Sequence, residues 1–86
     1  MKIEFDPVKN RINLRKHGVS LAAAADVDFE RAIVIEDRRV DYGEARFLAY
    51  APIGGRLHVL WFTMRGDTLR AIGLRKANRR ERKRHG

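Results

Sequence analysis

Residues Glu44 to Leu74 read EARFLAYAPI, GG, RLHVLWFTMR, GD, TLRAIGL: three apolar-rich runs broken twice by a glycine-containing pair. Gly54-Gly55 and Gly66-Asp67 suit two-residue hairpin loops, where glycine supplies the positive φ that the turn demands. The stretch is therefore predicted as three antiparallel strands, residues 44–53, 56–65 and 68–74. Loops this short fix register, so Ile53 should face Arg56 and Arg65 should face Thr68. Counting outward, one face carries the rows Tyr50, Val59, Leu74; Leu48, Trp61, Ile72; Arg46, Thr63, Arg70; and Glu44, Arg65, Thr68. The opposite face carries Phe47, Phe62, Ala71; Ala49, Leu60, Gly73; Ala45, Met64, Leu69; and, at its edge, Ala51, His58, Arg75. This second face is nearly all apolar and is expected to seat the helices. One β-bulge would shift the rows.

Working outward, residues 32–36 form a fourth candidate strand and residues 2–5 a short first one. Asp6 and Pro7 mark a helix start: the carboxylate can accept from an unpaired N–H, and proline there has no N–H to lose. The helix should run to about His17 and stop at Gly18, which suits a left-handed cap. Its apolar stripe is narrow, Val8 and Ile12 with Leu14 to one side, while Lys9, Arg11, Arg15 and Lys16 keep the rest wet and basic. Ser20 caps a second helix whose Leu21, Ala24, Ala25 and Val27 or Phe29 give one buried face. From Ala77 a last helix carries a basic run opposed only by Glu81. The expected fold is α+β, with an N-terminal strand and helical hairpin packed on an antiparallel sheet of about four strands, followed by a basic C-terminal helix. All of it belongs to one domain, residues 1–86.

A chain of 86 residues buries only about 60 to 65% of its unfolded surface, so the core must be thin. With 44% hydrophobic and 35% charged residues, there is still enough apolar material to fold. The net charge of +8 implies attraction to phosphates or to an acidic protein. No segment pairs a broad basic face with a large apolar one, which argues against a membrane surface. The absence of cysteine excludes disulfides and thiolate metal sites. With no apolar run near about 18 residues and no signal-peptide core, the chain is expected in the cytoplasm.

The blocks Phe5-Asp6-x-x-Lys9, Asn13-Leu14-Arg15-Lys16-His17-Gly18-Val19-Ser20, Gly43-Glu44-x-Arg46-Phe47-Leu48 and Arg70-Ala71-Ile72-x-x-Arg75-Lys76-Ala77-x-Arg79-Arg80-Glu81-Arg82 together resemble the BrnT family of bacterial toxins. The resemblance covers almost the whole chain, in the family's order. It implies a RelE-like fold, ribonuclease activity and a ribbon-helix-helix antitoxin, BrnA-like, that neutralises the toxin and represses the shared operon. DNA would then be contacted only through the antitoxin. The family motifs fall on His17, Glu44, Arg46, Arg70, Arg75, Arg79 and Glu81. Two positions depart: Gly73-Leu74 replaces a small polar residue followed by alanine, and His85 stands near a usual aromatic. Because a C-terminal aromatic or histidine can act in RelE-like enzymes, the resemblance makes His85 a catalytic candidate.

RNA cleavage without a metal needs an activated 2′-hydroxyl, positive charge on the phosphorane oxygens and a proton for the leaving 5′-oxygen. No clustered carboxylates or spaced histidines suggest a metal site, and no cofactor is expected, so arginine would stabilise the charge. The predicted register gathers Glu44, Arg46, Arg65 and Arg70 on one corner of a sheet face, with Glu44 orienting the guanidinium groups. The plain alternative is an exposed lattice of cross-strand ion pairs, each worth about 1 kcal/mol or less. His17, His58 and His85 are the candidate proton carriers. A helix C-terminus should favour the imidazolium of His17, and His58 reads as a surface strand residue. Lys16, Arg65, Arg75, Lys76, Arg79 and Arg82 are expected to track the RNA backbone. Tyr50 and Trp61 read as residues packed under the last helix rather than base-stacking platforms. A competing reading is a basic, non-catalytic subunit of a DNA-bound regulatory complex.

Overall fold

The computed structural model describes residues 1–86. Five strands, β1 (Lys2–Glu4), β2 (Ile33–Asp37), β3 (Arg46–Ile53), β4 (Arg56–Arg65) and β5 (Thr68–Lys76), form one sheet in the order β1-β5-β4-β3-β2. Both glycine turns close as the sequence predicts, with Ile53 opposite Arg56 and Arg65 opposite Thr68. The sheet is nevertheless mixed rather than wholly antiparallel. β1 pairs parallel with the start of β5, Glu4 lying beside Arg70, because the long excursion through residues 5–67 lets the chain return in the same direction.

The β3–β4 register agrees with the count from the turn, but β5 departs from it halfway. Phe62 lies opposite Ala71 and Trp61 opposite Gly73, so Ile72 is an extra residue. From there on Leu60 faces Leu74, Val59 faces Arg75 and His58 faces Lys76. This bulge reverses the strand's alternation, which puts Leu69, Ala71 and Leu74 together in the core with Leu60, Phe62 and Ala49. It equally moves Arg75 from the core face, where the unbulged count put it, to the face that carries Arg70.

Helix α1 (Pro7–His17) has the expected ends: Asp6 Oδ1 accepts the Val8 N–H at 2.8 Å, and Gly18 is left-handed at φ 71°. Its docking is not the expected one. Asn13 is the helix's one buried residue, whereas Val8 and Ile12 are 53% and 60% exposed. Asn13 Nδ2 donates to the carbonyls of Leu74 (2.7 Å) and Val19 (2.9 Å), and its Oδ1 accepts the Leu74 N–H (3.2 Å). β1 reaches only as far as Arg70, so Asn13 takes over the edge of β5 just beyond the bulge. Asn10 Oδ1 similarly accepts the Leu21 N–H (2.7 Å) and the Ser20 hydroxyl (3.2 Å).

The second helix is a 3-10 segment, Leu21–Asp26, followed by a single 3-10 turn, Phe29–Arg31. A run of small alanines gives a full α-helix too little to bury; the tighter winding still delivers Leu21 and Ala24 into the core. The core is thin, with 15 of 86 residues buried. It lies between these segments and the predicted apolar face of the sheet. His58, expected at the surface, is buried, and its Nδ1 lies 2.7 Å from the Arg56 carbonyl.

Candidate nucleic-acid interface

The opposite face of the sheet carries the candidate site and divides into two ends. At one end lies α2 (Arg79–His85), which starts two residues later than the sequence suggested because Ala77 is buried and Asn78 forms the cap. Asn78 and Glu81 make a capping box, each side chain accepting the other's backbone N–H at 2.9 Å. Glu81 also receives two hydrogen bonds from Arg75, at 2.7 and 2.9 Å. The Arg75 pairing holds the Glu81 carboxyl below its ordinary range and pushes the guanidinium up. Arg75 lies over Trp61, 5.2 Å from the ring centroid, and His85 stacks on Tyr50 at 4.0 Å. Tyr50 thus sits beneath the last helix, as the sequence reading had it, whereas Trp61 lies beneath Arg75 of β5 instead.

At the other end, Arg46 and Arg70 flank Thr63, which is opposite Arg70 in register and donates from its hydroxyl to the Ala45 carbonyl at 2.6 Å. The three share a face because the bulge lies beyond them. Two strand spacings put Arg46 and Arg70 roughly 10 Å apart along the sheet. Each guanidinium has a carboxylate nearby, Glu44 at 3.9 Å from Arg46 and Glu4 at 3.3 Å from Arg70, yet both contacts are loose beside the Arg75 pair. Arg46 Nε is buried with no hydrogen-bond partner.

Glu44 is outside β3, in the preceding turn, so the expected strand row through Glu44 does not form. What supports the Arg46 guanidinium is the Tyr42 ring, 4.1 Å below it. The Tyr42 hydroxyl donates to Asp37 Oδ2 at 3.1 Å, and Asp37 also takes three bonds from Arg39, two from the guanidinium at 2.8 and 2.9 Å and one from the backbone N–H at 3.2 Å. Arg39 above all, then Tyr42, holds the buried Asp37 carboxyl far below its ordinary range. Sequence reasoning missed Tyr42. The signal was a tyrosine between two turn-forming residues, Asp41 and Gly43, four positions before an arginine.

His17, at the end of α1, is solvent-exposed, and its pKa is lowered rather than raised. A slight desolvation is the largest cause, then the charges of Lys16 and Arg75. Neutral imidazole is the form that can accept a proton. Arg65 is exposed at the rim of this face and Arg79 and Arg82 on α2, while Lys76, the residue after Arg75 in β5, is exposed on the opposite side of the strand and Lys16 on α1. The Gly73-Leu74 departure is one of packing. A β-carbon at Gly73 would make ordinary contacts, 3.7 Å from the Trp61 ring and 3.8 Å from Asn13 Oδ1, and Leu74 fills the core.

The model of the ribonuclease toxin BrnT of type II toxin-antitoxin systems matches residues 5–81 of the chain. The fold is also similar to the crystal structure of the Brucella abortus ribonuclease toxin BrnT, with a TM-score of 0.71 and 28% identity over 92% of this chain and 99% of that one. No curated protein sequence matches.

Proposed function

Since the chain belongs to the BrnT family of ribonuclease toxins, whose type II systems pair each toxin with an antitoxin, we propose that it is a metal-independent, RelE-like endoribonuclease. Its substrate is RNA, in particular mRNA, and a ribbon-helix-helix antitoxin neutralises it. One observation carries the assignment. Arg46 and Arg70 stand on either side of Thr63 with loosely engaged, partly exposed guanidinium groups.

Both groups can turn their donors to a scissile phosphate and stabilise the charge that builds on its oxygens as the 2′-hydroxyl attacks. His17, whose pKa is lowered, accepts the 2′-hydroxyl proton. His85, stacked on Tyr50 at the α2 end, lies at the opposite end of the face from Arg46 and Arg70 and is not brought to the departing 5′-oxygen. The Tyr42 ring keeps the Arg46 plane in place, with Glu44 a loose neighbour. Arg65, Arg79, Arg82 and Lys16 hold the flanking backbone. Arg75 joins them only when Glu81 yields to phosphate.

The test is cleavage of RNA by the purified protein in EDTA, with product ends analysed by mass. The proposal expects 2′,3′-cyclic phosphate ends, and loss of cleavage in Arg46→Ala and in Arg70→Ala. Full activity in both variants would overturn the site. The second reading, a non-catalytic basic subunit in a DNA-bound complex, draws on the carboxylate beside each of Arg46, Arg70 and Arg75. It expects salt-sensitive binding without cleavage.

A further inference from the structure

Helix α1 is turned around relative to its own pattern. In an 11-residue helix at the surface, the aliphatic stripe normally faces the core and supplies most of the docking energy. Here the docking is done by Asn10 and Asn13, and the stripe points outward: Val8 is 53% and Ile12 60% exposed. Arg11 and Arg15 share that face with them at spacings of three, four and seven residues, and Lys16 adds to its end. The five side chains line an open hollow of about 430 Å³. No carboxylate lies within ion-pair reach of Arg11, Arg15 or Lys16.

We propose that this face of α1 docks an acidic amphipathic helix of the antitoxin, with aliphatic side chains on Val8 and Ile12 and carboxylates on Arg11, Arg15 and Lys16. An apolar centre with a charged rim is the anatomy of a protein interface. Phosphate backbone, which the proposed function brings to Lys16 at the end of this face, would leave Val8 and Ile12 at its centre idle, so RNA accounts for the rim of the surface and not for its middle. A second copy of the chain would bring the same unpaired positive charges against themselves, in a molecule of net charge +8. The helix-in-groove mode reads such anchors at spacings of three, four and seven. The inference rests on the pairing with an antitoxin and is independent of which arginines act on RNA.

The experiment uses the full chain and, as probe, its cognate antitoxin, purified and titrated calorimetrically against wild type, Ile12→Asp, Arg11→Glu and Val8→Ser. These positions are exposed and lie outside the proposed catalytic and RNA-binding residues, so the fold and RNA cleavage should be retained. Ile12→Asp should weaken binding by about tenfold or more, Arg11→Glu by somewhat less and Val8→Ser least, with RNA affinity unchanged. Unaltered affinity in both Ile12→Asp and Arg11→Glu overturns the proposal, as does a probe that fails to bind wild type. A parallel loss of RNA affinity would overturn it in favour of a nucleic-acid surface. A wild-type dimer that Ile12→Asp makes monomeric, seen by light scattering, would overturn it in favour of self-association. Wild type that binds the probe but cuts no RNA would sink the catalytic reading and leave this one standing.

Discussion

The two ends of the open sheet face hold the same kinds of residue and use them differently. At the α2 end, Arg75 is fixed by two short hydrogen bonds to Glu81, and that carboxylate is itself locked into a capping box. At the Thr63 end, Arg46 and Arg70 have carboxylate neighbours but weak hold on them, and a ring or a strand backbone does the positioning. The first arrangement spends its donors on structure. The second leaves them for a ligand. An arginine is therefore no more informative than its hydrogen-bond account, and three arginines that look alike in the chain divide into one fastener and two available cations.

That contrast is open to direct attack. The largest effect expected is on cleavage: Arg46→Ala and Arg70→Ala should each lower the rate constant on RNA by about 100- to 1000-fold, the usual consequence of removing one donor to a developing negative charge. Their urea midpoints should stay close to wild type. A rate loss matched by a stability loss would mean that these residues are fasteners too.

A middle-sized effect is expected at the other end. Glu81→Gln should cost about 1.5 to 2 kcal/mol of unfolding free energy, because it removes a paired charge and leaves Arg75 half-buried without it. Glu44→Gln should stay within about 0.5 kcal/mol, and comparable losses in the two would erase the distinction.

The smallest effect is one of pH. Because Arg75 lowers the Glu81 pKa, the unfolded chain takes up that proton first as acid is added. The stability from this pair is therefore complete above the ordinary glutamate value of 4.5 and drains away below it, as pH falls toward the lowered folded value. Melting curves from pH 6 to 3 should fall less steeply in Glu81→Gln than in wild type. Identical slopes would show that the pair is not felt.

Much of this architecture can be read from the chain alone, and the parts that cannot share a cause. The two hairpins, the apolar face and the placing of Arg46 and Arg70 on one face follow from glycine turns and period-two alternation, both local. The parallel pairing of β1, the bulge at Ile72 and the reversed helix α1 do not, since each depends on a partner far along the chain. Asn13 meets Leu74 across 61 positions, and only that contact explains why an asparagine is buried where an isoleucine is not. Tyr42 escaped notice for a similar reason, because its value lies in a stacking geometry that the folded turn creates.

The extra residue in β5 has a genetic corollary. With Ile72 in place, positions 70 and 75 look the same way despite their odd spacing, and leucine 74 looks the other way. Loss of the Ile72 codon would leave Ala71, Gly73, Leu74 and Arg75 opposite Phe62, Trp61, Leu60 and Val59 in unbroken alternation, so the guanidinium would stay outward and the leucine inward. One-codon deletions at that point should therefore form no hot spot among cells that survive forced expression of this chain, and sequencing that found them clustered there would show that the extra residue does more than set the register.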